Sequence, residues 1–323
     1  MATHFQKTIK RVLCIVFAAI CAVAAMCTFT SCKSAWPKVT MRIAFNDKTY
    51  TLTYKLYRKF FPQTVQHFIE LADGGYYDGT CIHDYRDAYG MYAGGYTYSE
   101  ESASDSATRG LVAKDYYEFV KDIKLTQTVF EYTTIDGNFS EKNLKGVDTL
   151  AGEFADNGYT IKNNSKNYGS KKEGALVMYY NDKTEYKGTS YVTVKRSGSK
   201  SSTAEGLPAA ARWYDESRDY IYNSATSLFY ISFTSSSSVE KSQTVFAELY
   251  NDDAEAEYKS LTSAISKYIT DNCEGETDDF TQETSSMRVD NEEGAYRRDW
   301  VVKAQYDVPV TPIIIRSVKV NRY

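Results

Sequence analysis

Two stretches near the front of the chain alternate apolar and polar side chains with a period of two. Val39 to Phe45 reads VTMRIAF and Tyr50 to Leu56 reads YTLTYKL, with Asn46-Asp47-Lys48 between them. Successive strand residues point to opposite faces, so this pattern buries one face of a sheet and wets the other. Two such runs joined by a short polar turn make a hairpin. The 29 tyrosines extend the bias through the chain, because Tyr, Thr, Val and Ile suit pleated, half-buried surfaces. The expectation is a mainly β body of about 290 residues, one elaborated domain or two small ones.

The front end reads as an export signal. His4, Lys7, Lys10 and Arg11 precede a charge-free apolar run from Val12 to Met26. That run is shorter than the roughly 18 residues of a spanning helix and fits the apolar core of a signal peptide. It ends in Phe29-Thr30-Ser31-Cys32, which resembles a bacterial lipobox. The resemblance implies loss of residues 1–31, lipidation of Cys32 and a linker over 32–38. A cut before Cys27 would put Met26 where a small side chain is wanted. An uncleaved anchor helix is the alternative. Either way the body is expected outside the cytoplasm, held to a bacterial membrane through its N-terminus.

Several function classes drop out on composition. Cys14, Cys21 and Cys27 lie in the leader and Cys32 would carry lipid, so Cys81 and Cys273 allow at most one disulfide. Those two with His67 and His83 make no zinc pattern. The net charge of −4 argues against a nucleic-acid partner. There is no G-x-S-x-G, no phosphate loop and no H-E-x-x-H, and Asp278-Asp279 lacks the spacing and glycine of a calcium loop.

Further along, Pro62 opens a helix, where its missing N–H costs nothing. Val65, Phe68, Ile69 and Ala72 recur on one face, and Gly74-Gly75 ends it. Leu125 to Thr134 reads as a strand. Ala254 to Ile269 reads as a second helix with Tyr258, Leu261, Ile265 and Ile269 on one stripe, and Asp271 to Glu293 as an acidic loop. Tyr76-Tyr77, Tyr116-Tyr117 and Tyr179-Tyr180 are either stacking surfaces for sugar or peptide, or ordinary strand tyrosines.

Residues 60–97, FFPQTVQHFIELADGGYYDGTCIHDYRDAYGMYAGGYT, resemble the first half of a cyclophilin, the family that rotates X-Pro peptide bonds. Later pieces follow in the family's order: GEF from Gly152, EGALVM from Glu173, NSATSLFYI from Asn223, QTVFAEL from Gln243 and PIIIRSVKV from Pro312. The resemblance implies a closed eight-stranded antiparallel barrel with a helix over each open end and a groove on its outer wall. The domain would run over 39–323, with insertions at about 99–146, 181–222 and 271–308. It implies no cofactor, and as partners proline-containing segments of exported proteins.

Isomerisation of an X-Pro bond must cross a barrier of about 18–20 kcal/mol set by amide resonance. The site has to seat the proline ring, hold the flanking backbone and offer a donor to the prolyl nitrogen. The family uses a guanidinium directly after its strand histidine. Here His83 is followed by Asp84, a carboxylate that only accepts. Arg86, two residues on, is either a displaced donor or a surface partner of Asp84 or Asp87. The stretch from His83 to Gly94 is one residue longer than the family pattern, room for a bulge that re-aims side chains. Tyr92 or Ala93 stands at a glutamine position, Leu228 replaces another glutamine, and Gln243 stands at the groove histidine. Tyr179 and Tyr180 replace small or polar neighbours. Tyr89, Met91, Phe229, Tyr230 and Phe246 are candidate groove residues, with Phe229 and Phe246 equally readable as core. With so many donors replaced, the expectation is a weak isomerase; the alternatives are a non-catalytic peptide-binding module and a purely structural lipoprotein.

Overall fold

The computed structural model describes residues 34–114, 150–154, 170–179, 224–285 and 303–323, with short pieces at 116, 119–120, 126–132, 139–145 and 287–288. The chain divides into two compact units, Met1–Ser34 and Ala35–Tyr323. The leader with Cys32 and the insertion at 181–222 lie outside the described residues. No helix among the described residues is long and apolar enough to cross a membrane.

The hairpin forms where the alternation places it, as Lys38–Phe45 paired with Lys48–Leu56. Asn46 and Asp47 take φ of 45° and 60°, the left-handed turn that matches strand twist. Val39, Met41, Ile43, Leu52, Tyr54 and Leu56 all turn inward. Eleven described strands make one antiparallel sheet. In spatial order they are Asp84–Arg86, Gly90–Ala93, Phe229–Ser232, Leu176–Met178, Thr244–Leu249, Lys48–Leu56, Lys38–Phe45, Ile314–Arg322, Thr80–Cys81, Tyr96–Tyr98 and Leu111–Ala113. The molecule is thus mainly β, a curled antiparallel sheet forming a half-barrel with few helices. Only Ile82 and His83 separate the two strands Thr80–Cys81 and Asp84–Arg86, which stand at different places in the sheet.

Glycine sets the closest strand approach. Gly94 has a φ of 97°, and a Cβ there would lie 2.3 Å from the Ser227 carbonyl oxygen. That spacing lets Gly90–Ala93 pair tightly with Phe229–Ser232, the contact on which the outer face is built.

Helix Pro62–Asp73 seats Val65, Phe68, Ile69, Leu71 and Ala72 on the sheet. Phe68 meets Tyr77 and Phe246 at ring-centroid distances of 5.0 Å and Phe229 at 5.6 Å. Tyr76, Tyr77 and Tyr116 are buried too, so these members of the tyrosine doublets are core residues. The second helix spans Asp252–Asn272, longer at both ends than the apolar stripe alone suggests. Asn251 caps it by accepting from the Ala254 N–H at 3.2 Å, and Asp252, Asp253 and Glu255 suit its positive end.

The stretch after this helix is not the acidic loop its composition suggests. A one-turn helix, Thr277–Phe280, leads into Thr281–Glu283, which pairs with Asp307–Pro309. Phe280 is fully buried and meets Phe45, Tyr85 and Tyr268 edge-on or tilted. One apolar anchor suffices to dock the segment, and the acidic residues around it stay solvated and mask it in any average. In the insertion expected at 99–146, Leu111–Ala113 extends the main sheet, and Thr126–Tyr132 pairs with Phe139–Lys145.

Helix Pro62–Asp73 has no cap from its own flank. A buried carboxylate supplies one: Glu153 Oε2 accepts from the Thr64 N–H at 2.8 Å and the Thr64 hydroxyl at 2.7 Å, and Oε1 from the Gln63 N–H at 3.3 Å. Burial pushes this carboxyl up to about 7 from 4.5, against the downward pull of those bonds. The folded chain therefore holds the proton more tightly than the unfolded one. That contribution to stability is full below about pH 4.5 and is lost as pH rises to about 7. Urea unfolding across this interval should show stability falling with pH, and Glu153→Gln should flatten that slope; an unchanged slope in the variant would assign it to other groups.

Candidate functional site

Strand register assembles the outer face. Pairing sets Asp84 opposite Tyr92, Tyr92 opposite Tyr230, Tyr230 opposite Val177, and Val177 opposite Val245. The neighbouring row, Tyr85, Met91, Ile231, Leu176 and Ala247, belongs to the main core. Side chains alternate, so the first row faces away from that core, where Ala175, Val177, Tyr230 and Val245 form a separate cluster with Tyr92 against it.

The candidate residues therefore part company. Arg86, Tyr92, Tyr230 and Gln243 come together on the outer face. Met91, Phe229 and Phe246 do not: each is one residue from an outer-face side chain and points into the core. Leu228 is buried, and its carbonyl accepts from the Tyr179 N–H at 3.0 Å. Tyr89 is 60% exposed at the turn before Gly90. His83 is not a groove residue: it packs between Tyr96 and Tyr306 at centroid distances of 5.0 and 4.9 Å. Burial lowers its pKa to about 3, and its Nδ1 has no hydrogen-bond partner among the described residues. Ile82 and Tyr85 both enter the core although three residues apart, so the strand is irregular between them and His83 and Asp84 both turn outward.

Arg86 pairs with Asp84. Its Nε donates to Asp84 Oδ2 at 2.7 Å, with the guanidinium side chain 46% exposed and the carboxylate only 2%. Asp84 Oδ1 also accepts the Asp307 N–H at 3.1 Å, so the carboxylate is gripped from two elements. Burial holds the Asp84 carboxyl above its usual range, although Arg86 and these bonds pull it down. On Arg86 burial is the largest influence and acts downward, but Asp84, Tyr92 and Tyr179 together outweigh it and leave the guanidinium firmly charged. The Arg86 Cζ lies 4.9 Å from the centroid of Tyr92. Tyr92 stacks on Tyr230 with centroids 4.9 Å apart and planes at 28°. Tyr230 in turn donates its hydroxyl to Gln243 Oε1 at 2.6 Å. The arrangement offers an aromatic wall, a fixed cation with two η nitrogens making no hydrogen bond among the described residues, and the amide of Gln243.

A family model for the cyclophilin type peptidyl-prolyl cis-trans isomerase/CLD matches residues 40–279. The chain belongs to the cyclophilin family. Solved structures similar to this cyclophilin include a cyclophilin type peptidyl-prolyl cis-trans isomerase of Cryptosporidium parvum, 12% identical over 89% of this chain and 99% of that one, with a TM-score of 0.36. The same protein crystallised in the presence of the dipeptide Ala-Pro is 14% identical, covering 88% and 99%, with a TM-score of 0.35. The Mimivirus cyclophilin is 15% identical over 70% of this chain and 78% of its own, with a TM-score of 0.32. No curated protein gives a match. Family membership rests on the family-model match. In this cyclophilin, the Asp84–Arg86 pair is one of the two readings the sequence leaves open for Arg86, whereas Val177 and Val245 as the face beneath the tyrosines went unread. The period-two spacing of Asp84 and Arg86 carries the signal for the pair.

Proposed function

We propose that this cyclophilin is a peptidyl-prolyl cis-trans isomerase of low activity, acting on proline-containing segments of exported proteins at the bacterial cell envelope. The observation that carries it is Arg86, held by Asp84 beside the Tyr92 and Tyr230 wall. A guanidinium there can donate to a prolyl nitrogen as it leaves the amide plane, while the tyrosine rings, backed by the buried Val177, supply the apolar seat. Low activity follows from the replacements at Asp84, Leu228 and Gln243, which leave few preorganised donors. In this reading Ile82 and His83 carry Thr80–Cys81, the ninth strand of the sheet, directly into Asp84–Arg86 at its edge, closing an eight-stranded barrel with a helix over each end. The domain spans 39–323, and residues 1–31 are the signal that leaves Cys32 lipidated.

Exchange NMR on a blocked Ala-Pro peptide tests the proposal. Catalytic amounts of protein should raise cis–trans exchange cross-peaks and shift the signals of Tyr92, Tyr179 and the Arg86 Nε–H. Absence of both effects would overturn it. Peptide-induced shifts without faster exchange would favour the second reading, a peptide-binding module. The replacement of donors at Asp84, Leu228 and Gln243 beside a retained aromatic wall speaks for that second reading.

A further inference from the structure

The aromatic wall is already occupied. Tyr230 belongs to the outer face, yet it is only 3% exposed. Strand Gly90–Ala93 runs between Asp84–Arg86 and Phe229–Ser232, so Tyr92 lies between the guanidinium on one side and the Tyr230 ring on the other. Tyr179 meets the Tyr92 ring edge-on at 6.5 Å and 79°. The outer layers are fixed: Asp84 holds Arg86, and Gln243 holds the Tyr230 hydroxyl. Tyr92 is the half-buried layer in the middle, with no hydrogen bond from its hydroxyl among the described residues.

We infer that Tyr92 decides what this site admits: its ring fills the seat that a ligand's proline ring would take on Tyr230, and a peptide enters by driving it out. The inference rests on the prolyl-peptide reading and adds the residue that controls entry. A proline ring seeks the face of an aromatic residue, and the Tyr230 face turned toward Gly90–Ala93 is covered by Tyr92. Expelling Tyr92 sacrifices its stack on Tyr230 and the cation–π contact with Arg86, which together weaken apparent affinity by on the order of tenfold. In exchange the expelled ring leaves Arg86 facing the newcomer at stacking distance, which places the donor beside the bound proline. The seat and the donor are thus prepared behind one movable side chain.

The test compares the full-length wild type, Tyr92→Ala and Tyr92→Phe in two measurements. The first is the affinity for a blocked Ala-Pro peptide; the second, needing no ligand, is the rate of Tyr230 nitration by tetranitromethane, read by peptide mass mapping. Removing the ring should tighten peptide binding by on the order of tenfold and speed nitration of Tyr230. Tyr92→Phe keeps the ring and should leave Tyr230 protected. Tyr92→Leu keeps apolar bulk over the sheet and replaces the alanine variant should that one unfold. If wild type binds the peptide and the ring-less variant binds it no tighter, Tyr92 is no gate, while the prolyl-peptide reading stands. Equal opening in Tyr92→Phe also overturns the gate. Peptide binding by none of the variants overturns both.

Discussion

Alanine at Arg86 is expected to slow the exchange of prolyl peptides by about 10²–10³, the usual cost of losing one preorganised donor. The reaction breaks no covalent bond, so the protein contributes through placement and through charge at the nitrogen as it pyramidalises. Arg86 fits that role because its Nε is committed to Asp84 at 2.7 Å while the rest of the fork stays partly exposed over Tyr92. Lysine tests the geometry separately. It keeps the charge but has no planar fork to divide between Asp84 and a ligand, so Arg86→Lys should recover only part of the loss. The alanine variant leaves the buried Asp84 with the Asp307 N–H as its remaining described partner, so unfolding must be measured alongside turnover. A stable variant that exchanges prolyl peptides as fast as wild type would remove Arg86 from the chemistry.

How far the sequence led depends on the range of the interaction concerned. Helix Pro62–Asp73 is local: a proline at its first turn, apolar residues at helical spacing and two glycines at its end specify it almost residue by residue. The outer row is half local. Period two tells that Tyr92 shares a face with Gly94 and not with Met91, but it does not say which face is inside. Register decides that, and a slip of one residue exchanges the two sets. This is why Met91, Phe229 and Phe246, all plausible wall residues in the sequence, belong to the core while their neighbours Tyr92, Tyr230 and Val245 form the outer face. His83 and Phe280 were out of reach for a different reason. The ring of Tyr306 against His83 comes from more than 200 residues away, and Phe280 is a single apolar residue inside an acidic stretch, where neither periodicity nor average hydropathy registers it.

Phe68→Ala is expected to cost about 3–5 kcal/mol, the range for emptying a buried aromatic site. Phe68 is the helix residue that meets the sheet at the point where the inner and outer faces share their strands. It is fully buried against Tyr77, Phe229 and Phe246. Phe229 immediately precedes Tyr230, and Phe246 immediately follows Val245, so the void opens directly behind the outer row. These ring neighbours are held by their own strands and cannot collapse far into the space, which favours the upper part of the range. A domain of ordinary stability, about 5–15 kcal/mol, would lose roughly a fifth of its margin or more. Urea unfolding monitored by tyrosine fluorescence would read it as a lower midpoint at unchanged slope. Because the outer row rests on the same two strands, nitration of Tyr230 should also quicken in this variant, without any change at Tyr92. A loss below about 1 kcal/mol would mean that the helix is not seated on Phe229 and Phe246, and that the sheet keeps its curl without it.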